Sequence, residues 1–263
     1  PGSPAPVGPV SGIVGLVTLW MMLSDACRLV AAQGVAVDVR GAGNVPDRAG
    51  TVADIHAPLM DDWYSRFMRE FEMIGAERGT VRQAAEMAVD TVLGGGRVWC
   101  WGRDWEGLPF EAQTRRGGLA LLTGIYPGGD GVITARGGPF EPSPGDIAVM
   151  GIYAPDDSAD LAALDRFRDA GMTVISIGPM TRGGRVPDGR TVPEAADIHL
   201  GRMSDTYGLF RLPGLPRPVC PTSGATMMQL FWTLCLDIAQ GIMHRTGDVP
   251  GIYLSGALRG GLD

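Results

Sequence analysis

Apolar side chains recur every three or four positions between residues 61 and 93, a spacing that places them on one face of a helix. The pattern predicts two helices, over residues 61–77 and 81–93. Thr80 is expected to cap the second helix, because a threonine hydroxyl accepts a backbone hydrogen bond there. Glycines follow at 94–96 and predict the end of this helix. The apolar positions of the first helix include Trp63, Phe67, Phe71 and Ile74.

From residue 98 onward, short apolar runs alternate with the helical spacing. The run Val98–Trp101 has no polar break, which is typical of a strand buried on both faces of a parallel sheet. Similar runs predict strands over residues 119–123, 146–153, 172–177 and 196–200, with smaller ones at 132–134 and 252–254. Helices are predicted over residues 110–116, 159–170 and 222–244. This alternation favours a three-layer α/β/α sandwich around a parallel sheet.

The first part of the chain has a different character. Residues 1–58 are predicted to form an N-terminal extension to a domain that spans residues 59–263. Residues 13–33 predict an apolar helix that is buried or packed on a partner. Its most apolar run, residues 13–23, is shorter than the ~20 residues that cross a bilayer. A membrane span is therefore not expected.

The net negative charge of the chain bears on which partners it can bind. The formal net charge of −7 argues against nucleic acid or an anionic membrane surface as the main partner, because both require a positive face. All 22 basic residues are arginines. The lack of lysine excludes a P-loop lysine and lysine Schiff-base chemistry for this chain.

The sulfur and imidazole side chains predict no metal and no cofactor. The four cysteines lack the paired spacing of a zinc or thioredoxin motif. We expect them to be small core residues in a reducing, cytoplasmic compartment. The three histidines also lack metal-ligand spacing. The cysteines are Cys27, Cys100, Cys220 and Cys235, and the histidines are His56, His199 and His244.

The loop at residues 102–107 is the first place to expect a ligand, because open α/β sheets bind ligands beyond the carboxyl ends of their strands. Asp104 and Glu106 in this loop fit a general base or a partner for sugar hydroxyls, with a solvated turn as the alternative. Trp105 fits stacking on a sugar ring. His199 follows a predicted strand and is a further catalytic candidate, with a structural role as its alternative.

Two other clusters have an ordinary explanation beside a functional one. Arg182, Arg185 and Arg190 crowd one loop, where they fit a clamp on a phosphate or nucleotide, or a solvated surface. Trp99 and Trp101 point the same way along one strand and are expected to pack in the core.

Four segments, taken in order, resemble the sugar isomerase, or SIS, domain family over residues 60–263. GGGRVWCWG at 94–102 is similar to the family's glycine-ended helix and first strand. RRGGL at 115–119 and the strand–turn–helix segment at 145–177 follow in the family's order. PVCPTSGATMMQLFW at 218–232 is similar to a hydroxyl-bearing helix start in single-domain bacterial members of unassigned function.

The resemblance implies a flavodoxin-like sheet, a homodimer or higher homo-oligomer, and a phosphosugar site built from loops at the strand ends. In the family, hydroxyl and glycine residues of the first and second loops hold the phosphate. An ordinary N-cap is the alternative role for the hydroxyls at the last helix start. The substrate-binding positions that the resemblance implies, or that stand in the matching loops, are Gly102, Arg103, Asp104, Ser158, Thr222 and Ser223.

Glu111 lies on the helix after the first loop, where the family often has a glutamate. The resemblance implies a catalytic base there, and a surface pair with Arg115 at i+4 is the alternative. The second loop departs from the family, because Asp156 and Asp157 stand where a serine-rich turn is usual. Two carboxylates at this helix start would repel a phosphate and are expected to cap the helix themselves.

Two functions follow from these observations. The first is a sugar-phosphate-binding SIS-domain protein that isomerises a phosphosugar by proton transfer through an enediol, with Glu106 or Glu111 as the base. The second is a non-catalytic protein with altered phosphate loops, which serves as a sensor or an assembly subunit. Hydroxyl-rich loops favour the first function, and the acidic second loop favours the second.

Overall fold

A computed structural model describes residues 10–34, 51–54, 57–103, 107–114, 118–128, 133–135, 138–182, 185–201, 209–215 and 218–252. Within these segments the helices are α1 (Val10–Ala32), α2 (Met60–Ala76), α3 (Arg78–Leu93), α4 (Leu108–Thr114), α5 (Ser158–Asp169), α6 (Val192–Ala195) and α7 (Ser223–Thr246). The strands are β1 (Thr51–Val52), β2 (Val98–Trp101), β3 (Leu122–Pro127), β4 (Ile133–Ala135), β5 (Gly138–Pro139), β6 (Ile147–Gly151), β7 (Thr173–Ile177), β8 (Ile198–Leu200) and β9 (Phe210–Arg211).

Seven of the described strands form one sheet in the order β5-β4-β3-β2-β6-β7-β8. The strands from β3 to β8 in this order are parallel, whereas β4 and β5 add an antiparallel pair beside β3. Every residue of β2 and β6 is buried, as expected for central strands of a parallel sheet. The parallel strands follow the order of a flavodoxin-like sheet, so the predicted α/β fold class is confirmed.

Helices cover both faces of the sheet. On one face, α3, α4 and α7 pack against a layer that includes Val98, Cys100 and Val149. On the other face, α5 packs against Trp99 and Trp101. This division follows from the alternation of side chains along each strand. The two tryptophans are therefore core residues, as predicted.

Two buried carboxylates hold the indole rings of this core. The Nε1–H group of Trp99 donates to Asp146 at 2.9 Å, and that of Trp101 donates to Asp160 at 3.0 Å. Asp146 also accepts hydrogen bonds from the backbone N–H groups of Arg97 and Ser143. These bonds offset the free-energy cost of burying a carboxylate beneath the sheet.

Helix α1 lies against the domain that follows it. Its inner face packs in a cluster with Trp63, Phe67 and Val219. Asp25 of α1 accepts a hydrogen bond of 2.7 Å from the backbone N–H of Leu59. The predicted N-terminal helix is thus present, and the domain boundary at residue 58 stays a prediction. In the described residues, no helix combines the length and the apolar character that a bilayer span requires.

Three local predictions differ from the structure. Helix α3 begins at Arg78, so Thr80 lies inside its first turn and is not its N-cap. The reason is a tight junction at Glu77, which is both the C-cap of α2 and the N-cap of α3. The strand predicted at 119–123 begins only at Leu122. Of the strand predicted at 252–254, Ile252 forms an isolated bridge, and the rest lies outside the described residues.

Candidate functional site

The strand order places a crevice at the carboxyl ends of β2 and β6. The chain runs from β2 to β3 on one side and returns to β6 on the other, and ligands of open α/β sheets bind where the order reverses. We call this place the β2–β6 crevice. It is bordered by residues 102–103 after β2 and residues 152–157 after β6. Gly102 and Arg103 thus lie where a ligand loop was predicted.

At the start of α5, a side chain of the protein occupies the position that favours an anion. One oxygen of Asp157, Oδ1, accepts hydrogen bonds from the backbone N–H groups of Ala159 and Asp160 at 2.9 and 3.2 Å. The other oxygen, Oδ2, lies 2.5 Å from Nη1 of Arg103. The predicted cap is therefore confirmed for Asp157, whereas the cap expected from Asp156 is wrong, because that carboxylate binds Arg182 instead. The salt bridge between Arg103 and Asp157 could not be predicted from the sequence, because the two residues meet only where β2 and β6 lie side by side.

Asp156, the other acidic residue of this loop, is also paired. Both of its oxygens lie 3.1 Å from Nη1 of Arg182. Arg190 in turn forms a salt bridge with Asp165 of α5. Two of the three arginines in this loop therefore contact carboxylates of the protein, which supports a structural role for them over a clamp on a phosphate.

The start of α7 has a different arrangement. Thr222 and Ser223 are only 2% and 3% exposed. Thr222 occupies the N-cap position in a helical conformation, and its side chain makes no capping hydrogen bond to the first turn. The Thr222 hydroxyl therefore does not serve as an ordinary N-cap of α7. The hydroxyl of Thr226, one turn later, donates to the backbone carbonyls of Thr222 and Ser223.

Helices α4 and α7 approach the end of β6 closely. A Cβ atom added to Gly151 would lie 3.1 Å from Cβ of Leu108 and 3.5 Å from the sulfur of Met227. Leu108 is the first residue of α4, and Met227 lies in the second turn of α7. The start of α7 is therefore beside the β2–β6 crevice.

His199 is accounted for by hydrogen bonds within the fold. Its Nδ1 lies 2.8 Å from Oγ of Ser176, and its Nε2 lies 2.8 Å from the backbone carbonyl of Gly201. The carbonyl only accepts, so Nε2 carries the proton and Nδ1 accepts from the serine. Burial lowers the pKa of His199 to about 4, against the opposing effect of its hydrogen bonds to backbone. These contacts support a neutral, structural histidine, and a catalytic role for it stays a prediction.

Other predicted residues are placed as follows. Ser158 begins α5 and is exposed. Glu111 lies in the first turn of α4 and is half-buried, whereas Arg115, its alternative partner, lies outside the described residues. Asp104, Trp105, Glu106 and His56 also lie outside them, so their roles stay predictions. Among the described residues, no group of three or more His, Cys, Asp or Glu side chains is placed to hold a metal ion.

A contact at the end of β8 was not predicted. The backbone N–H of Gly201 donates to Oε2 of Glu77 at 2.6 Å. This bond ties the sheet to the junction between α2 and α3. No sequence motif marks it, because the two residues are joined only by the packing of α3 against β8.

Comparison with known proteins gives no family model and no curated protein that matches the sequence. Solved structures with a similar fold include a proposed sugar-phosphate isomerase from Listeria monocytogenes, with 13% identity over 74% of this chain and 93% of that chain, at a TM-score of 0.46. A phosphoheptose isomerase from Francisella tularensis has 16% sequence identity over 69% of this chain and 96% of that chain, at a TM-score of 0.42. A proposed phosphosugar isomerase from Salmonella typhimurium has 17% sequence identity over 61% of this chain and 44% of that chain, at a TM-score of 0.35.

Proposed function

We propose that the chain binds a phosphorylated sugar in the β2–β6 crevice, with the phosphate at the start of α7. The observation that carries this proposal is the start of α7, where the side chain of the N-cap residue Thr222 makes no capping hydrogen bond and both Thr222 and Ser223 are buried beside the crevice. The first turn of a long helix presents backbone N–H groups and a partial positive charge, and both favour a phosphate. Hydroxyl groups at the same place add further hydrogen bonds.

The start of α5 supports the same assignment by exclusion. Asp157 already fills the anion position there and binds Arg103, so a phosphate at this helix would meet a like charge. Of the two long helices that begin beside the crevice, α7 is the one that remains for a phosphate. Under this proposal Gly102, Arg103 and Asp104 border the sugar, and Ser158 contributes less than Thr222 and Ser223.

The reaction proposed for this site is aldose–ketose isomerisation. A base removes the proton from the carbon beside the carbonyl, an enediol forms, and the proton returns to the neighbouring carbon. Glu111 lies in the first turn of α4, which begins where it meets the end of β6. Asp156 and Asp157 at the crevice are already paired with arginines. We assign the base to Glu111, with Glu106 as the alternative. The homodimer also remains part of the proposal.

A second function has an observation in its favour. The pair Arg103–Asp157 links the first and second loops, and Asp156–Arg182 holds the second loop from its other side. Such pairs replace the open hydroxyl-rich loop of a phosphosugar enzyme with protein contacts. A non-catalytic sensor or assembly subunit, which binds a sugar phosphate without turning it over, is therefore the second candidate.

Binding is tested with matched pairs of sugars and their phosphates in a thermal-shift screen. A ligand that binds only the folded state adds about 2.7 kcal/mol at a hundred times its Kd. We expect phosphates to raise the unfolding temperature and the free sugars to have little effect. Thr222→Val and Ser223→Ala should lose the shift. Thr233→Val, a matched change within α7 that removes a hydroxyl bonded to Gln229, should keep it. Equal shifts with the free sugars, or none with any phosphate, would contradict the proposal.

Turnover is tested separately with a phosphate that binds. Proton transfer through an enediol exchanges the carbon-bound hydrogen with solvent, so the substrate gains deuterium in D2O and the change is read by NMR. Glu111→Gln should abolish exchange and leave the thermal shift intact. Binding by the wild type without any exchange would remove the isomerase function and leave the sensor or assembly subunit.

A further inference from the structure

Two cysteines that are distant in sequence meet where α1 packs on the segment before α7. Cys220 is part of the buried cluster against which Cys27 of α1 packs, their thiols interact with each other, and neither forms a disulfide. Cys27 is half-buried on α1, whereas Cys220 is buried. The hydroxyl of Ser24, one turn earlier on α1, also contacts Cys220. Neither cysteine takes part in the proposed sugar-phosphate site.

We propose that Cys27 and Cys220 are a redox-active pair that forms a reversible disulfide and links α1 to the segment before α7. The oxidant is a small-molecule disulfide such as oxidised glutathione. The proposal concerns the cysteine pair alone and does not depend on the function proposed above.

The two thiols have different parts in the exchange. Cys27 is the accessible member and attacks first. A hydrogen bond from the Cys220 thiol lowers the pKa of Cys27 to about 7, against the opposing effect of burial, so thiolate is available near neutral pH. The interaction with the Cys27 thiol, and after it burial, raise the pKa of Cys220, which makes it the second reactant.

The exchange proceeds in two steps that balance. The Cys27 thiolate attacks one sulfur of the oxidant, the sulfur–sulfur bond of the oxidant breaks, and one small thiolate leaves. That thiolate takes the proton of Cys220, and the Cys220 sulfur attacks the sulfur of Cys27 in the mixed disulfide. The second small thiolate leaves and takes the proton released from Cys27. Two protein thiols are oxidised to one disulfide, and the oxidant is reduced to two thiols.

The backbone at Cys220 gives this link a mechanical consequence. Cys220 has φ +59°, and in the described part of the chain it is the one non-glycine residue in the left-handed region. It lies two residues before Thr222, where α7 begins. A disulfide draws the two sulfur atoms to covalent distance, so it holds this strained segment against α1.

The other two cysteines serve as controls within the same molecule. Cys100 and Cys235 are buried in the core, and desolvation raises the pKa of each thiol. A buried thiol of this kind reacts slowly with a disulfide, because the thiolate is the attacking species. They should remain reduced in the folded protein under conditions that oxidise Cys27 and Cys220.

The test is peptide mapping of the folded wild-type protein after incubation with oxidised glutathione. We expect a Cys27–Cys220 cross-linked peptide, loss of two of the four free thiols, and a rise of several degrees in the unfolding temperature that dithiothreitol reverses. Mapping the wild type does not depend on whether any variant folds. Persistence of both thiols, or separate glutathione adducts on Cys27 and Cys220, would overturn the proposal.

Two variants then distinguish the roles of the pair. Cys220→Ser should accumulate a stable glutathione adduct at Cys27, because nothing resolves it. Cys27→Ser should leave Cys220 unmodified, since the buried thiol is not the attacking group. A glutathione adduct at Cys220 in Cys27→Ser would contradict the assigned order of attack and therefore this mechanism.

Discussion

At the scale of single residues, Asp157 determines how the second loop behaves. One of its oxygens caps α5, and the other binds Arg103 across the crevice. A carboxylate at a helix start is favourable because it faces the positive end of the helix dipole. The loop is therefore stabilised by its own anion, which makes it independent of a bound phosphate.

Two substitutions of Asp157 separate the cap from the charge. Asp157→Ala should lower the free energy of unfolding by about 1 kcal/mol, because the helix start loses its acceptor. Asp157→Asn should cost less, since the amide oxygen still accepts from the backbone. Urea denaturation measures both values. Asp165→Ala is the matched control, because it removes an aspartate–arginine pair from the same helix without removing a cap. Equal losses for the alanine and asparagine variants would contradict the capping role.

The residues of the site were predictable to different extents. The cap at Asp157 follows from an aspartate before a helix-forming run, which is a local pattern. The partner of that aspartate, Arg103, depends on the neighbouring positions of β2 and β6, and no local pattern contains this information. His199 is similar, because its position after a strand suggested a site, whereas its contacts with Ser176 and Gly201 could not be read from the sequence.

At the scale of elements, the ends of β6 and β7 approach so closely that a side chain is excluded between them. A Cβ atom added to Gly178, just after β7, would lie 2.4 Å from Cγ1 and 2.5 Å from the backbone oxygen of Ile152. The backbone N–H of Ile152 donates to Ile177 at 2.9 Å and holds the two strand ends together. A glycine at this position therefore maintains the shape of the crevice rim.

Gly178→Ala should lower the free energy of unfolding by roughly 1–3 kcal/mol, because overpacking forces the strand ends apart. The matched control is Gly75→Ala in α2, where an added Cβ meets no atom within 4 Å. That change should raise stability by roughly 0.5–1 kcal/mol, since alanine favours a helix over glycine. Chemical denaturation of both variants checks the prediction. If Gly178→Ala does not lower the free energy of unfolding, the strand ends can move apart without cost, and the prediction is contradicted.

Elements with a strong pattern of their own were predictable within a few residues. Strands β2 and β6 are continuous apolar runs, β7 is apolar except for Thr173 and Ser176, and α5 and α7 carry helical spacing between clear stops. The small strand near residue 133 was expected, but its antiparallel direction was not, since direction depends on the pairing partner. The α2–α3 junction was misplaced because Glu77, which is an ordinary helix-forming residue, occupies it.

At the scale of the whole molecule, the half-buried imidazole of His199 links folding to pH. Its pKa is about 4 in the folded chain, against an ordinary value of 6.5. Between these values the unfolded chain binds a proton that the folded chain rejects, so stability falls as the pH falls through this window. The contribution is fully present above the unfolded pKa and is lost once the pH falls to the folded one.

We expect the wild type to lose roughly 3 kcal/mol of unfolding free energy from this group between pH 6.5 and about pH 4. His199→Gln, which retains a donor and an acceptor, should remove most of this pH dependence. His244→Gln, at an exposed position near the end of α7, is the control and should leave it in place. Urea denaturation across the window measures the slopes. An unchanged slope in His199→Gln would contradict the assignment.

The layered architecture could be predicted because strand and helix patterns alternate, and parallel strands need helical crossovers. The docking of α1 could not be predicted in the same way. Its apolar character indicated only that it packs on something. The bond from Leu59 to Asp25 and the contact of Cys27 with Cys220 depend on the folded positions of distant segments.

The short edge strands of the sheet have a consequence for how the protein behaves at high concentration. At one described edge, β5 has two residues, and Pro139 lacks an N–H group. At the other edge, β8 has three residues, and the N–H group that follows it is bonded to Glu77. Strand-by-strand polymerisation needs a long row of unpaired backbone groups. The described sheet offers an incoming strand very few, so its edges resist amyloid-like growth.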